Sequence, residues 1–304
     1  MKWRGRRGSR NIEDRRGRGG LRGGLGSGRV IRTGRSRGAR RAGGVGGLGL
    51  LAVVVVGWFL GVDLTPLLGG GGGGYVAAPT QQTTPITQAD EEQAQFVSVV
   101  LADTEAVWSD IFQDQLDAAY QPATLVLYDG VTQSPCGGAS GATGPFYCPA
   151  DEKAYLDTAF FTTLERQLGA EGDFAAAYVV AHEIAHHVQH ELGILGEANA
   201  IRRQMSEGES NAISVRVELQ ADCYSGIWAR AAQERFGILE PGDVDEAIGA
   251  AMRIGDDYLA ERAGRVPAPH TFTHGTSEQR AGWFRAGWET GDLRACDTFS
   301  AERL

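Results

Sequence analysis

The stretch YVVAHEIAHHVQHE at residues 178–191 decides how this chain is read. An apolar run leads straight into two histidines four residues apart with a glutamate after the first, the H-E-x-x-H arrangement. On a helix, His182 and His186 project from one face a single turn apart, so both imidazoles reach one ion. Glu183 sits about 100° further round, placed to hold a water on that ion rather than to ligate it. A surface helix with scattered histidines would not carry such an apolar lead-in. The stretch predicts a long helix over about residues 174–192, ended by Gly193, and the chemistry of a metal-dependent hydrolase.

Two histidines leave a zinc site short of a ligand, because catalytic sites take three protein ligands and keep the fourth position for water. Downstream, SVRVELQADCYSGIWA (residues 214–229) supplies Glu218, with Asp222 four residues later on the same helical face. Glu218 is the expected third ligand. Asp222 is expected behind it, accepting a hydrogen bond from the outer ring nitrogen of one histidine. Val217, Leu219 and Ala221 make that face partly apolar, which separates the pair from an ordinary exposed acidic pair. His187 points off the ligand face, and the glycine and third histidine of the extended metzincin motif are absent. His190 lies one turn beyond His186 and reads as solvated.

At this point the chain resembles the gluzincin pattern of thermolysin-like metallopeptidases, in which a glutamate ligand and an aspartate behind it sit four apart on a later helix. It is more closely similar to the bacterial neutral zinc metallopeptidase family. The stretches that carry the resemblance are FVSVVLADTEAVW (96–108), GPFYCPADEKAYLD (144–157), AYVVAHEIAHHVQ (177–189), SVRVELQADCYSGIWA (214–229), GDVDEAIGAAMRIGDD (242–257), FTHGTSEQRAGWF (272–284) and CDTF (296–299). The resemblance implies zinc held by His182, His186 and Glu218, with Glu183 as general base and acid in peptide-bond hydrolysis, the same four residues that spacing selects. His274, beside Gly275 and just ahead of a helix, is the candidate donor to the developing oxyanion. A capping role for His274, or service by Tyr155, Tyr178 or Tyr224, stays open beside it.

Outward from the motif, the chain divides by charge. It has 304 residues, is 42% hydrophobic and carries a net charge of −9. Residues 1–44 hold fifteen Lys/Arg against Glu13 and Asp14, whereas the remainder holds 14 basic and 36 acidic residues. An acidic catalytic part makes nucleic acid an unsuitable substrate. The Arg/Gly-rich first 44 residues read as a disordered cytoplasmic segment, serving to set topology or to bind RNA or anionic headgroups.

Residues 42–62 contain no charge and include LGLLAVVVVGWFLGV, the length of one transmembrane helix. Arginines on one flank and Asp63 on the other predict a cytoplasmic amino terminus and an exported catalytic domain in a single-pass protein at the cell membrane. A cleaved signal peptide fits less well, since its basic region would be far too long. Residues 63–88, with a six-glycine run and Thr/Gln/Pro-rich sequence, read as a linker. Residues 89–304 read as the metallopeptidase domain.

Within that domain the expectation is an α+β, mainly helical, zincin-like fold with a small sheet. Residues 94–112 have helical spacing, 123–128 and 153–161 read as strands, and 134–144 as a Gly/Ser/Pro-rich loop. Helices are expected over 162–168, over 197–236 with a break near Glu207 and Gly208, over 243–262, and from a Ser277 cap to Gly287. The strand at 153–157 is a candidate to align an extended substrate by edge pairing. Cys136, Cys148, Cys223 and Cys296 allow three pairings. Cys136 with Cys148, closing the loop, and Cys223 with Cys296, tying the tail to the helix of Glu218, is the expected one. The functional reading is a membrane-anchored zinc endopeptidase acting on a peptide or protein. A tethered, metal-stabilised binding domain is the alternative, and oligomeric state is left open.

Overall fold

The computed structural model describes residues 1–17, 86–140 and 144–304, with backbone alone at 139 and 140. Its centre is the motif helix. A segment reading DFAAAYVVAHEIAHHVQHE has few large side chains on any face, so neighbouring helices can close around it. The segment forms α3 (Asp173–Glu191), buried along most of its length. Gly193, at φ +78, ends it in the left-handed conformation that glycine adopts without strain.

Around α3 pack α1 (Gln88–Leu116), α4 (Ile194–Arg202), α5 (Glu207–Phe236) and α6 (Asp243–Arg253). The helical spacing read in residues 94–112 buries Phe96, Val100, Val107, Trp108, Ile111 and Phe112. The break near Glu207 separates α4 from α5, where Ser206 and Glu209 form a reciprocal capping box. The single helix expected over 243–262 is two, α6 and α7 (Asp256–Arg262), divided at Gly255. The last helix, α8 (Ser277–Thr290), is capped by Thr276 rather than Ser277.

Helices α5 and α8 lie unusually close. A Cβ on Gly287 would stand 1.8 Å from the Cys223 carbonyl oxygen, and one on Gly226 would stand 2.0 Å from that of Phe284. Only glycine permits this approach, and it brings α8 side chains to the back of α5. Cys223–Cys296 fastens the chain end to the same helix, as expected from the sequence.

The sheet has the order β1-β2-β6-β5, made of β1 (Ile12–Asp14), β2 (Thr124–Tyr128), β6 (Lys153–Asp157) and β5 (Phe146–Cys148). The first three run parallel, and β5 is antiparallel to β6. Strand β2 is apolar on both faces because both are covered. Leu125 and Leu127 face the helices, while Val126 and Tyr128 join Tyr155 and Cys148 beneath Phe146. The stretch read as a loop at 134–144 instead contains part of a hairpin, β3 (Val131–Ser134) and β4 (Gly137–Ser140), which Cys136–Cys148 ties to β5. Strand β6 is interior, and its residues 153–155 are paired on both sides, so they cannot accept a substrate strand. After Asp157 the chain turns into α2 (Ala159–Arg166).

Two expectations about the amino-terminal third are corrected. Residues 1–17 are an integral part of the fold. Trp3 is buried edge-on against Phe96, with ring centroids 5.5 Å apart. Arg6 pairs with Asp103 at 2.6 Å, Ser9 and Asn11 share Glu105, and β1 extends the sheet. Arg16 is held by Asp14 and by the Asp90 carbonyl. The Met1 ammonium lies among Asp173, Glu240 and Asp243. A composition that reads as disordered is satisfied here by acids and carbonyls on α1 and at the start of α3.

The transmembrane helix preceding the domain is the second correction. No helix among the described residues is long and apolar enough to cross a membrane. The apolar run at 42–62 lies outside the described residues, as do the rest of the basic segment and the linker to residue 85. The two ends of that stretch meet, for a Cβ on Gly17 would lie 3.4 Å from Ile86 Cδ1.

Candidate metal centre

His182 and His186 stand one turn apart on α3 with ring centroids 4.8 Å from each other, nearly perpendicular. Glu218 comes across from α5. Its Oε2 is 3.1 Å from His182 Nε2, and its Oε1 is 3.6 Å from His186 Nε2. These three ligand atoms lie within 4.8 Å of one another.

What holds the rings decides whether those nitrogens can ligate. Gln189, buried on α3, donates from its amide nitrogen to the Val217 carbonyl at 2.8 Å and to Gln220 Oε1 at 3.0 Å. A carbonyl can only accept, so the Gln189 oxygen must face His186 Nδ1, 2.8 Å away. His186 therefore carries its proton on Nδ1 and presents the Nε2 lone pair. His182 is backed by Asp222, whose Oδ1 is 2.9 Å from Nδ1, at an angle short of a linear hydrogen bond. Two imidazole lone pairs and a carboxylate converging from two helices, each histidine oriented from behind, fit a zinc ion.

Asp222 is itself fully enclosed. Arg280 of α8 reaches its Oδ2 from Nε at 2.8 Å and its Oδ1 from Nη2 at 3.0 Å, and the Tyr178 hydroxyl donates to Oδ1. Burial raises the pKa of Asp222, but the Arg280 guanidinium and His182 outweigh it and leave the carboxyl below its ordinary range. Burial likewise works against charge on His182, and Asp222 with Glu218 reverses that, lifting it to about 9. Glu183 is buried beside the two rings, and burial pushes its pKa up against the pull of His186 and His182.

On the far side, His274 approaches on the loop before α8. Asp256 Oδ2 accepts the backbone N–H groups of Thr273, His274 and Gly275 at 2.8, 2.7 and 3.0 Å, and its Oδ1 is 3.3 Å from His274 Nδ1. Gly275, at φ +95, lets this loop lie against α5. A Cβ there would be 3.2 Å from Leu219 Cδ2 and 3.3 Å from Val215 Cγ1. Burial opposes protonation of His274, but Glu218 and Asp256 together raise its pKa.

The structure thus brings His182, Glu183, His186, Glu218 and Asp222 together, with His274 within the electrostatic reach of Glu218. It sets apart His187, which donates from Nε2 to the Gln121 carbonyl and accepts at Nδ1 from the Tyr147 hydroxyl, and His190, which faces Glu152. Of the other candidate donors, Tyr178 is committed to Asp222, Tyr155 donates to Asp151, and Tyr224 packs on Trp108. Gln189, Asp256 and Arg280 escaped the sequence reading. Gln189 follows His186 by three residues, a helical neighbour spacing that could have exposed it. A second acidic group, Asp173, Asp243 and Glu246, is already met by the Met1 ammonium.

A family model described as "Putative neutral zinc metallopeptidase" matches residues 1–299. The chain belongs to this family. The match includes the amino-terminal residues that the fold shows packed on the domain. Among relatives, "Uncharacterized protein YpfJ" of Escherichia coli strain K12 is 44% identical over 300 residues, covering 98% of this chain and 99% of that protein. "Uncharacterized protein Rv2575" of Mycobacterium tuberculosis is 44% identical over 210 residues, 66% of this chain and 68% of its own length. No solved structure matches.

Proposed function

We propose that the protein is a zinc-dependent peptidase that uses Glu183 as general base and acid. The observation that carries this reading is the convergence of His182 Nε2, His186 Nε2 and the Glu218 carboxylate beside Glu183, which is buried and stands outside that group of ligand atoms. His182, His186 and Glu218 would hold the ion. Zinc in such a site supplies a Lewis acid and brings the pKa of a coordinated water to about 7.

The chain's own residues account for the proton traffic. Glu183, its basicity raised by burial, accepts a proton from the attacking water and returns it to the departing amine. His274, held by Asp256, donates to the carbonyl oxygen as negative charge develops there. Asp222 and Gln189 keep the two histidines from turning. The two disulfides favour an oxidising compartment as the place of work, and the excess of acidic residues disfavours nucleic acid as a partner. A peptide or protein is the substrate class.

The test compares the full chain with Glu183→Gln for zinc content and for cleavage of a broad peptide library. The expected result is equal zinc in both and a loss of about 100-fold or more in the variant's rate. Equal rates would remove Glu183 from the mechanism. Zinc in both with no cleavage by either would favour a metal-stabilised binding domain.

A further inference from the structure

We propose that Arg202 anchors a carboxylate of the substrate, so that the site prefers peptides bearing a negative charge within about four residues of the scissile bond. The inference rests on the reading that the space beside Glu218 receives a peptide.

Helix α4 leaves the metal-bearing helix through Gly193 and lies against α5. Leu195 and Ala198 of α4 pack on Val217, with Ile213 beside them. Arg202, the last residue of α4, is thereby set alongside the amino-terminal half of α5, and its Nε donates to Ser210 Oγ at 3.2 Å while Nη1 meets Asn199 Oδ1 at 3.3 Å. Ser210, Ser214 and Glu218 follow one another four residues apart, so they share one face of α5. Eight residues of helix span about 12 Å, which an extended peptide covers in about four residues at roughly 3.3 Å each. Arg202 lies within the electrostatic reach of Glu218, so a substrate that extends from the metal centre towards the amino-terminal end of α5 passes the guanidinium.

Charge sets the position apart from the arginines that the fold neutralises. Arg6, Arg16 and Arg280 are each met by a carboxylate. Arg202 is half-buried and makes no ion pair among the described residues, although the chain outside its first 44 residues is strongly acidic. Burial pulls its pKa down and only the charge of Glu218 works in the other direction. When Glu218 serves a metal ion, that charge is taken up, and the guanidinium is left desolvated without a compensating anion. The Nη2 edge has no hydrogen-bond partner among the described residues. A planar fork of this kind suits a carboxylate better than a neutral amide.

Two sources of carboxylate share this chemistry, the free carboxyl terminus of a peptide and an acidic side chain within it. The experiment measures binding by calorimetry to the zinc-loaded full chain carrying Glu183→Gln, which keeps the peptides intact. One pair of probes is acetyl-trialanine and its carboxyl-terminal amide. The other is acetyl-Ala-Glu-Ala amide and the same peptide with glutamine.

The expected result is that in at least one pair the charged peptide binds about 10-fold more tightly, as a charge-assisted hydrogen bond supports. Arg202→Met should bring that ratio close to one and Arg202→Lys should keep part of it. A preference confined to the first pair assigns carboxyl-terminal recognition, and one confined to the second assigns acidic side chains. Ratios near one in both pairs, no measurable binding by any probe, or a preference that survives Arg202→Met would each overturn the proposal. Because the readout is a binding ratio in an inactive variant, its failure is distinct from failure of the peptidase reading, which the cleavage comparison decides.

Discussion

Replacing Arg280 by methionine should weaken metal binding from a helix that contributes no ligand. Arg280 is 2% exposed, and Asp222 is fully buried. The guanidinium supplies two of the contacts on that carboxylate and also reaches the Tyr178 hydroxyl at 3.2 Å. Without it Asp222 is a buried carboxylate beside one imidazole and one hydroxyl. Removing one partner of a buried pair costs roughly 3–5 kcal/mol. In a domain of this size that lowers the melting temperature by roughly 6–20 °C. The effect reaches the metal because Asp222 orients His182, and losing an outer partner of a ligand lowers metal affinity about 10–100-fold. Competition with a zinc chelator, read well below both melting temperatures, measures the second effect apart from the first. Arg280→Lys keeps the charge but not the fork, and should fall between parent and methionine variant. The reasoning fails if Arg280→Met holds zinc within twofold of the parent.

Two further outcomes follow from the amino-terminal segment. Burial outweighs the Arg6 guanidinium and lifts the Asp103 carboxyl to about 7. With the folded pKa above the unfolded value of about 3.9, the folded state keeps this proton longer. The contribution is therefore fully favourable below about pH 4 and is lost as pH rises towards 7, by at most about 4 kcal/mol. Asp103→Asn should flatten that part of the profile, so its denaturation midpoint gains on the parent's between pH 5 and pH 7.5, and an unchanged difference refutes it. Trp3→Ala empties a buried site against Phe96 and should cost roughly 3–5 kcal/mol, measured by urea unfolding; a cost under about 0.5 kcal/mol would mean the segment is not packed in solution.

The site was legible because its chemistry is local. His182, Glu183 and His186 declare themselves by spacing on one helix, and Glu218 with Asp222 by the same spacing on another. What closes the site was not legible, because it depends on distant partners. Arginine is normally exposed, and nothing in SEQRAGWF marks Arg280 as buried until Asp222, 58 residues earlier, is seen to receive it. Asp256 reads as one acid among several in GDD, and becomes a loop anchor only when three backbone N–H groups turn towards it. The hairpin at 131–140 was missed for a related reason. Glycine and serine have little strand preference of their own, and pairing alone makes that segment a strand.

The amino-terminal segment shows where composition misleads. Counting fifteen basic residues in the first 44 treats them as one population, yet three arginines within the first seventeen residues have assigned partners: Arg6 has Asp103, Arg16 has Asp14 and the Asp90 carbonyl, and Arg15 has Glu13. Complementary charge came partly from α1, through Asp103 and Glu91, and partly from Glu13 and Asp14 of the segment itself. Trp3 and Ile12 were the apolar clue within that basic sequence, too few to suggest a core until Phe96 and β2 are placed opposite them. The same packing fixes the ends of the intervening stretch. Because β1 and β2 share backbone hydrogen bonds and Gly17 lies against Ile86, residues 17 and 86 stand side by side on the domain although 69 positions separate them in the sequence.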